Sequence, residues 1–232
     1  MSVWDDFGKE YDFPLFEGKP RVYLIASLPR SGSHYFAHLL HATGQFGSPN
    51  EYLHPTFADR PIREVLTELF THRTSPNGWF GLKAHWPQFV RLLEDPVACE
   101  FVDIQRYIRI TRRDLLGAAI SYVIAQQTSS WISFQPARGQ ASYDFAEIAE
   151  TRAKIEEQDR QWTAFFEARA LDSIPVVYED LLASPQATID AIAQDFGVAV
   201  TKLPAAVRPE RQAHSLNDEW RQRFLEDASR HE

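Results

Sequence analysis

The chain has 232 residues, of which 44% are apolar and 24% charged, with Trp 6, Tyr 8 and Phe 16. That length and apolar content support one folded domain with elaborations and exclude a multidomain array and a disordered chain. The net charge of -8 disfavours a generic nucleic-acid or anionic-membrane surface. Residues 141–200 hold 12 acids and 4 bases, so the other 172 residues are neutral overall and can still build local sites for a small anion. The single Cys99 excludes an intramolecular disulfide, and no apolar run is long enough to span a bilayer. The acidic start MSVWDDFGKEYDF lacks the regions of a signal peptide, so a cytoplasmic protein is expected.

Val22 to Ser27 is short, apolar and rich in strand formers, and the loop Leu28 to Ser33 leads into a helical pattern, Tyr35, Phe36, Leu39 and Leu40. Gly44, Gly47 and Pro49 stop that helix, and Ser48 to Glu51 reads as a loop. A weaker helix is predicted over Ile62–Phe70, and Trp79 to Lys83 reads as a second strand. Arg106 to Thr111 alternates with period two and is followed at Asp114 by a helix through Leu115, Ala118, Ala119 and Tyr122. Residues 144–170 give the longest helical signal, with an acidic outer face. Ile174 to Tyr178 is again a strand, a helix follows Pro185 and ends at Gly197, and Leu216 to Phe224 forms an amphipathic terminal helix. Strands alternating with helices imply an α/β fold, a parallel β-sheet with helices on both faces, whose ligands bind at the carboxyl ends of the strands.

Several candidate sites lie at those ends. In Pro29-Arg30-Ser31-Gly32-Ser33-His34, free backbone N–H groups and the helix dipole favour an anion, Gly32 permits close approach, and Arg30 adds a fixed charge. This is no Walker A loop, because no Lys follows the Gly. Arg112 and Arg113 end the third strand, and Ser121 follows Arg113 by eight residues, about two helical turns; an arginine fork and a hydroxyl there suit a phosphate, and a helix cap with solvated arginines is the plainer alternative. Lys83 and His85 are two apart at a strand end and so share a face, which makes His85 a candidate general base and Lys83 a charge stabiliser. Glu51 is a second candidate base. His34, His38 and His41 fall at helical spacing, but no nearby Cys or carboxylate completes a metal site, so no metal is expected. Arg211 precedes the terminal helix and is a candidate lid residue.

In this order the pieces resemble the sulfotransferases that use 3′-phosphoadenosine-5′-phosphosulfate (PAPS). Pro29 to His34 is similar to their 5′-phosphosulfate loop, Arg113 and Ser121 to their 3′-phosphate pair, and Tyr178-Glu-Asp-Leu to a recurrent segment. Arg30-Ser-Gly-Ser33, Ala42-Thr-Gly44, Glu51, Gly81-Leu-Lys83, Thr111-Arg-Arg-Asp114 and Arg211-Gln-Ala213 resemble the bacterial trehalose 2-sulfotransferase family from about residue 22 to 225. The resemblance implies a fold related to nucleotide kinases, PAPS as donor with adenosine 3′,5′-bisphosphate (PAP) as product, a sugar or glycolipid hydroxyl as acceptor, and a homodimer. It implies that the glutamate matching Glu51 is the base, whereas Lys83-x-His85-x-Pro87 is similar to a segment of animal cytosolic sulfotransferases in which the histidine is the base. Two departures stand out: His34 replaces a usual Thr, and the segment around Glu51 differs.

The sequence therefore predicts a single domain over 1–232, with a core at about 22–200 and a lid or tail at about 201–232. The expected activity is in-line sulfuryl transfer with Glu51 or His85 as base. A small-molecule kinase using ATP and a non-catalytic PAP-binding protein are the alternatives.

Overall fold

The computed structural model describes residues 8–55, 60–131, 138–204 and 214–231. Its strands are β1 (Arg21–Ser27), β2 (Trp79–His85), β3 (Ile104–Thr111) and β4 (Ile174–Val177), all parallel in the order β2-β1-β3-β4. β1 is central and buried from Val22 to Ser27, which explains its continuous apolar run. The chain leaves β1 to build β2 on one side and later β3 on the other. The carboxyl ends of β1 and β3 therefore flank the point where strand order reverses.

Helices cover both faces, as expected. Alternate residues of β1 divide between two cores: Val22, Leu24 and Ala26 face one, Tyr23 and Ile25 the other. α1 (Ser33–Ala42), α7 (Tyr178–Ala183) and α8 (Pro185–Phe196) cover the second core. On the first lie α2 (Ile62–Arg73), α3 (Trp86–Leu93), α4 (Pro96–Val102), α5 (Leu115–Thr128), α6 (Phe145–Ala168) and α9 (His214–His231). Local chemistry sets several starts: Asp114 caps α5 through the Gly117 amide at 2.9 Å, and Asp144 caps α6 through Glu147 at 2.9 Å. No helix among the described residues is long and apolar enough to cross a membrane.

Three differences from the sequence reading matter for the site. β2 runs two residues beyond Lys83, to His85, and α3 follows at once, with Pro87 in its first turn where a missing N–H costs nothing. α4 was not foreseen either. α9 is neither a loose tail nor free of the core: Trp220 and Phe224 are buried, with Trp220 edge-on to Tyr143 and Phe224 stacked on Phe145 at 4.7 Å. A large aromatic anchor of this kind is worth about 3–5 kcal/mol when truncated to Ala.

Candidate active site

Two clusters of polar side chains meet at the carboxyl ends of the strands. The first is built on the loop between β1 and α1. Ser31 turns back on Leu28, its amide and hydroxyl both donating to the Leu28 carbonyl, so the hydroxyl serves the loop itself. Arg30 and Gly32 have φ of 56° and 76°, in the left-handed region. At Gly32 a Cβ would stand 2.2 Å from the Tyr178 ring, so glycine is required by both backbone and space. Tyr178 opens α7 and lies against the loop, and the Arg112 guanidinium sits 5.2 Å from its ring centroid.

Arg30 Nε donates to Ser121 Oγ at 3.0 Å, and its Nη1 donates to the Trp131 carbonyl. Arg112 Nη1 donates to the Arg30 carbonyl at 3.0 Å. Burial, with the nearby charge of Arg112, lowers the Arg30 pKa to about 10, so the guanidinium stays charged at neutral pH. The Arg112 Nε is buried and has no hydrogen-bond partner. An orphaned cationic donor beside a glycine-dependent loop at a helix start is the chemistry of an anion site. A phosphosulfate fits the donors present, and the residues that would hold it are Arg30, the loop amides and Arg112.

The second cluster hangs on β2. Asn50 forms a one-residue parallel bridge with Leu82, and the Lys83 amide donates to the Asn50 carbonyl at 3.0 Å. This bridge sets Glu51 beside the strand. Glu51 Oε1 lies 3.0 Å from Lys83 Nζ and 3.7 Å from His85 Nε2, and its Oε2 accepts from Gln88 Nε2 at 2.7 Å. Burial alone would raise the Glu51 pKa, but the Lys83 charge, the neighbouring His85 imidazole and the hydrogen bonds from Gln88 and Lys83 hold it well below the carboxylate range. Lys83, at 1% exposure, has its charge balanced by that carboxylate.

His85 lies 2.9 Å through Nδ1 from Ser27 Oγ and 3.2 Å from the Ser27 carbonyl. Ser27 Oγ donates its one proton to the Ala84 carbonyl at 3.1 Å. The Ser27 carbonyl can only accept, so its contact with Nδ1 favours the tautomer with the imidazole proton on Nδ1 and the lone pair on Nε2. Burial, assisted by Lys83 and opposed by Glu51 and the Ser27 carbonyl, lowers the His85 pKa, so the ring is neutral at pH 7. Trp162 Nε1 also donates to the Ser27 carbonyl, at 3.2 Å.

The structure thus brings Glu51, Lys83 and His85 together, and gathers Arg30, Ser31, Gly32, Arg112 and Ser121 around the loop. It pairs the remaining candidates elsewhere. Ser121 holds Arg30 rather than Arg113, whose guanidinium forms an exposed two-point bond with Asp180 at 2.9 and 2.6 Å. Ser33 is buried as the first residue of α1. His34 Nε2 lies 2.9 Å from His38 Nε2, and burial with the charges of Lys83, His38 and Arg30 pushes its pKa down to about 2, leaving a neutral ring. His41 Nδ1 instead meets Ser48 Oγ at 3.0 Å. No group of three His, Cys, Asp or Glu suited to a metal occurs among the described residues. Arg211 lies outside the described residues.

Sequence reasoning missed Gln88, which orients Glu51 and whose Oε1 accepts from the His85 amide at 2.9 Å. Pro87 followed by Gln88, Phe89 and Leu92 was the available signal of a helix start. It also missed the part played by Tyr178, for which only the Tyr-Glu-Asp-Leu segment gave a sign.

A sequence model described as Stf0 sulphotransferase matches residues 65–227. The chain is 29% identical to the trehalose 2-sulfotransferase of Mycobacterium tuberculosis, over 90% of this chain and 96% of that one. It is 24% identical to the nodulation protein H of Rhizobium tropici, over 83% and 82%. The fold is similar to that of the sulfotransferase domain of the Synechococcus PCC 7002 olefin synthase, with a TM-score of 0.50, 15% identity and coverage of 88% and 89%. With a family model covering most of its length, this chain belongs to the Stf0 sulphotransferase family and is a sulfuryl-transferring enzyme.

Proposed function

We propose that the enzyme takes the sulfuryl group from PAPS and places it on a hydroxyl of a carbohydrate-like acceptor, with His85 as general base. The observation that carries this reading is the 2.9 Å contact between Ser27 Oγ and His85 Nδ1, since Ser27 ends the strand that delivers the anion loop. The base and the donor loop are therefore one hydrogen bond apart. The name of the mycobacterial relative supports a sugar as the acceptor class.

When bound, PAPS supplies the activated sulfuryl group. Arg30, the loop amides and Arg112 hold its negative charge and stabilise the charge that develops on the bridging oxygen. The acceptor hydroxyl, whose pKa is far above 7, gives its proton to His85 Nε2 as its oxygen bonds to sulfur. The bond from sulfur to the bridging oxygen breaks, and its electron pair leaves on PAP. Glu51 is fixed as a carboxylate and is a poor proton acceptor. It faces the imidazole from 3.7 Å and stabilises the imidazolium formed by proton transfer. Lys83 keeps Glu51 ionised, and Gln88 keeps it oriented. Arg113 reaches a 3′-phosphate by exchanging Asp180, an exposed partner, for the ligand.

Calorimetric titration with PAP, beside ATP with Mg²⁺, tests the donor. Tight PAP binding with little ATP binding is expected; preference for ATP would overturn the donor assignment. A sulfation screen against sugars and glycolipids then tests the acceptor, and transfer only to non-carbohydrate hydroxyls would overturn that class.

A further inference from the structure

One ion pair outside the site described above bears on it. Arg221, next to the buried Trp220 on α9, donates to Asp114 Oδ2. The same carboxylate oxygen lies 3.5 Å from Arg112 Nη2, while Asp114 Oδ1 caps α5. Two arginines thus share one carboxylate oxygen, and the closer contact belongs to the helix nearest the carboxyl terminus. Arg112 is left with a long contact to Asp114, a 3.0 Å bond to the Arg30 carbonyl and the unpartnered Nε.

We infer that Arg221 is a positioning residue for the donor site: by occupying Asp114, it keeps Arg112 from closing onto that carboxylate and so holds the guanidinium beside Arg30 for the incoming anion. The inference rests on the donor reading proposed above. The electrostatics are direct. A bare carboxylate next to a guanidinium forms a charge-assisted bond that competes with any phosphate for the same fork. With Arg221 in place the carboxylate is already neutralised, and the net charge of the loop stays positive. Burial would raise the Asp114 pKa, but hydrogen bonds from Arg221 and the Gly117 amide and the charges of both arginines hold it down, so the carboxylate is ionised at neutral pH. A helix anchored by Trp220 on Tyr143 and Phe224 on Phe145 thereby tunes a site at the carboxyl end of β3.

The test is PAP affinity by calorimetry in a small cycle of variants, with kcat and the KM for PAPS measured alongside. Arg221→Gln is expected to weaken PAP binding roughly tenfold and to raise the KM for PAPS with kcat little changed. Arg221→Lys, which keeps the charge beside Asp114, is expected to restore most of the affinity. Asp114→Asn combined with Arg221→Gln is the deciding variant: Asn still caps α5, no carboxylate remains to capture Arg112, and affinity is expected to recover to within about threefold of the unmodified enzyme. Arg223→Gln removes the same charge from the same helix away from Asp114 and controls for long-range attraction. Failure of the double variant to recover would overturn the inference and leave Arg221 as an anchor of α9. Loss of affinity in Arg223→Gln equal to that in Arg221→Gln would overturn it in favour of bulk charge. Absence of PAP binding in the unmodified enzyme would overturn the donor reading first and this inference with it.

Discussion

At the end of β2, Lys83 balances Glu51 at 3.0 Å while His85 waits, neutral, at 3.7 Å. At the ends of β1 and β3, Arg30 and Arg112 lie together, Arg112 shares the Asp114 carboxylate with Arg221 at a long 3.5 Å contact, and its Nε is a buried donor without a hydrogen-bond partner. The base region carries its counter-charges within itself, so it can gain and lose a proton without importing an ion. The loop region carries the excess positive charge, which on the proposed reading the donor's negative charge offsets. Substitutions in the base region should therefore change turnover and spare nucleotide binding, and those around the loop should do the reverse.

The largest expected effect breaks the base region. His85→Ala should lower kcat roughly a thousandfold while PAP affinity, read by calorimetry, stays within about twofold of the unmodified enzyme. Glu51→Gln should cost less, about tenfold to a hundredfold in kcat, because the tautomer of His85 is set from the Ser27 side and survives. Equal losses in the two variants would return Glu51 to the role of base. The same substitution strands the buried Lys83 ammonium, at a cost of about 3–5 kcal/mol in stability, measurable by denaturant unfolding.

Next comes the loop. Gly32→Ala forces a Cβ into the Tyr178 ring and strains the backbone, at about 1–3 kcal/mol, and should weaken PAP binding more than it changes the acceptor KM. Smaller still is a pH effect that sets the two regions apart. Burial is the main reason the pKa values of His34, His38, His41 and His85 all lie below the ordinary imidazole value. The unfolded chain therefore takes up protons that the folded one refuses, so stability is full above about pH 6.5 and is lost as pH falls. Melting curves should show a loss of about 5 °C between pH 7.5 and 5.5, reduced in His34→Gln, with the Glu51 carboxylate adding a second loss below about pH 4.3. The smallest structural effect is that of Arg113→Ala: its bond to Asp180 is exposed, at 60% and 61% side-chain exposure, and the melting temperature should not move. Its PAP affinity should nonetheless fall about tenfold, which tests the 3′-phosphate role separately from stability.

The sequence made the loop region legible because its determinants are local: a buried strand, Gly32, and a helix starting one residue later. It also brought out Lys83 and His85, since alternation along a strand fixes which side chains share a face. Glu51 could be named but not placed, because its position depends on a single bridge from Asn50 to the outer edge of β2, a contact between segments about thirty residues apart in the chain. The exchange of partners between Arg30, Arg113 and Ser121 was beyond reach for a related reason. An eight-residue separation says that two side chains can meet across two helical turns, and it cannot say that Asp180, from a different strand end, holds one of them. Arg221 gave no signal at all, because an arginine on a charged amphipathic helix reads as solvated until Trp220 and Phe224 are seen to bury that helix against Tyr143 and Phe145.

The indole of Trp162 shares the Ser27 carbonyl with His85 and stands at 5.0 Å, edge-on, from Trp86. On the proposed mechanism a positive charge arrives on the imidazole and changes the field at that indole. Intrinsic fluorescence, followed through a rapid-mixing trace and compared with Trp162→Phe to isolate that indole, is therefore expected to follow the proton-transfer step without a label.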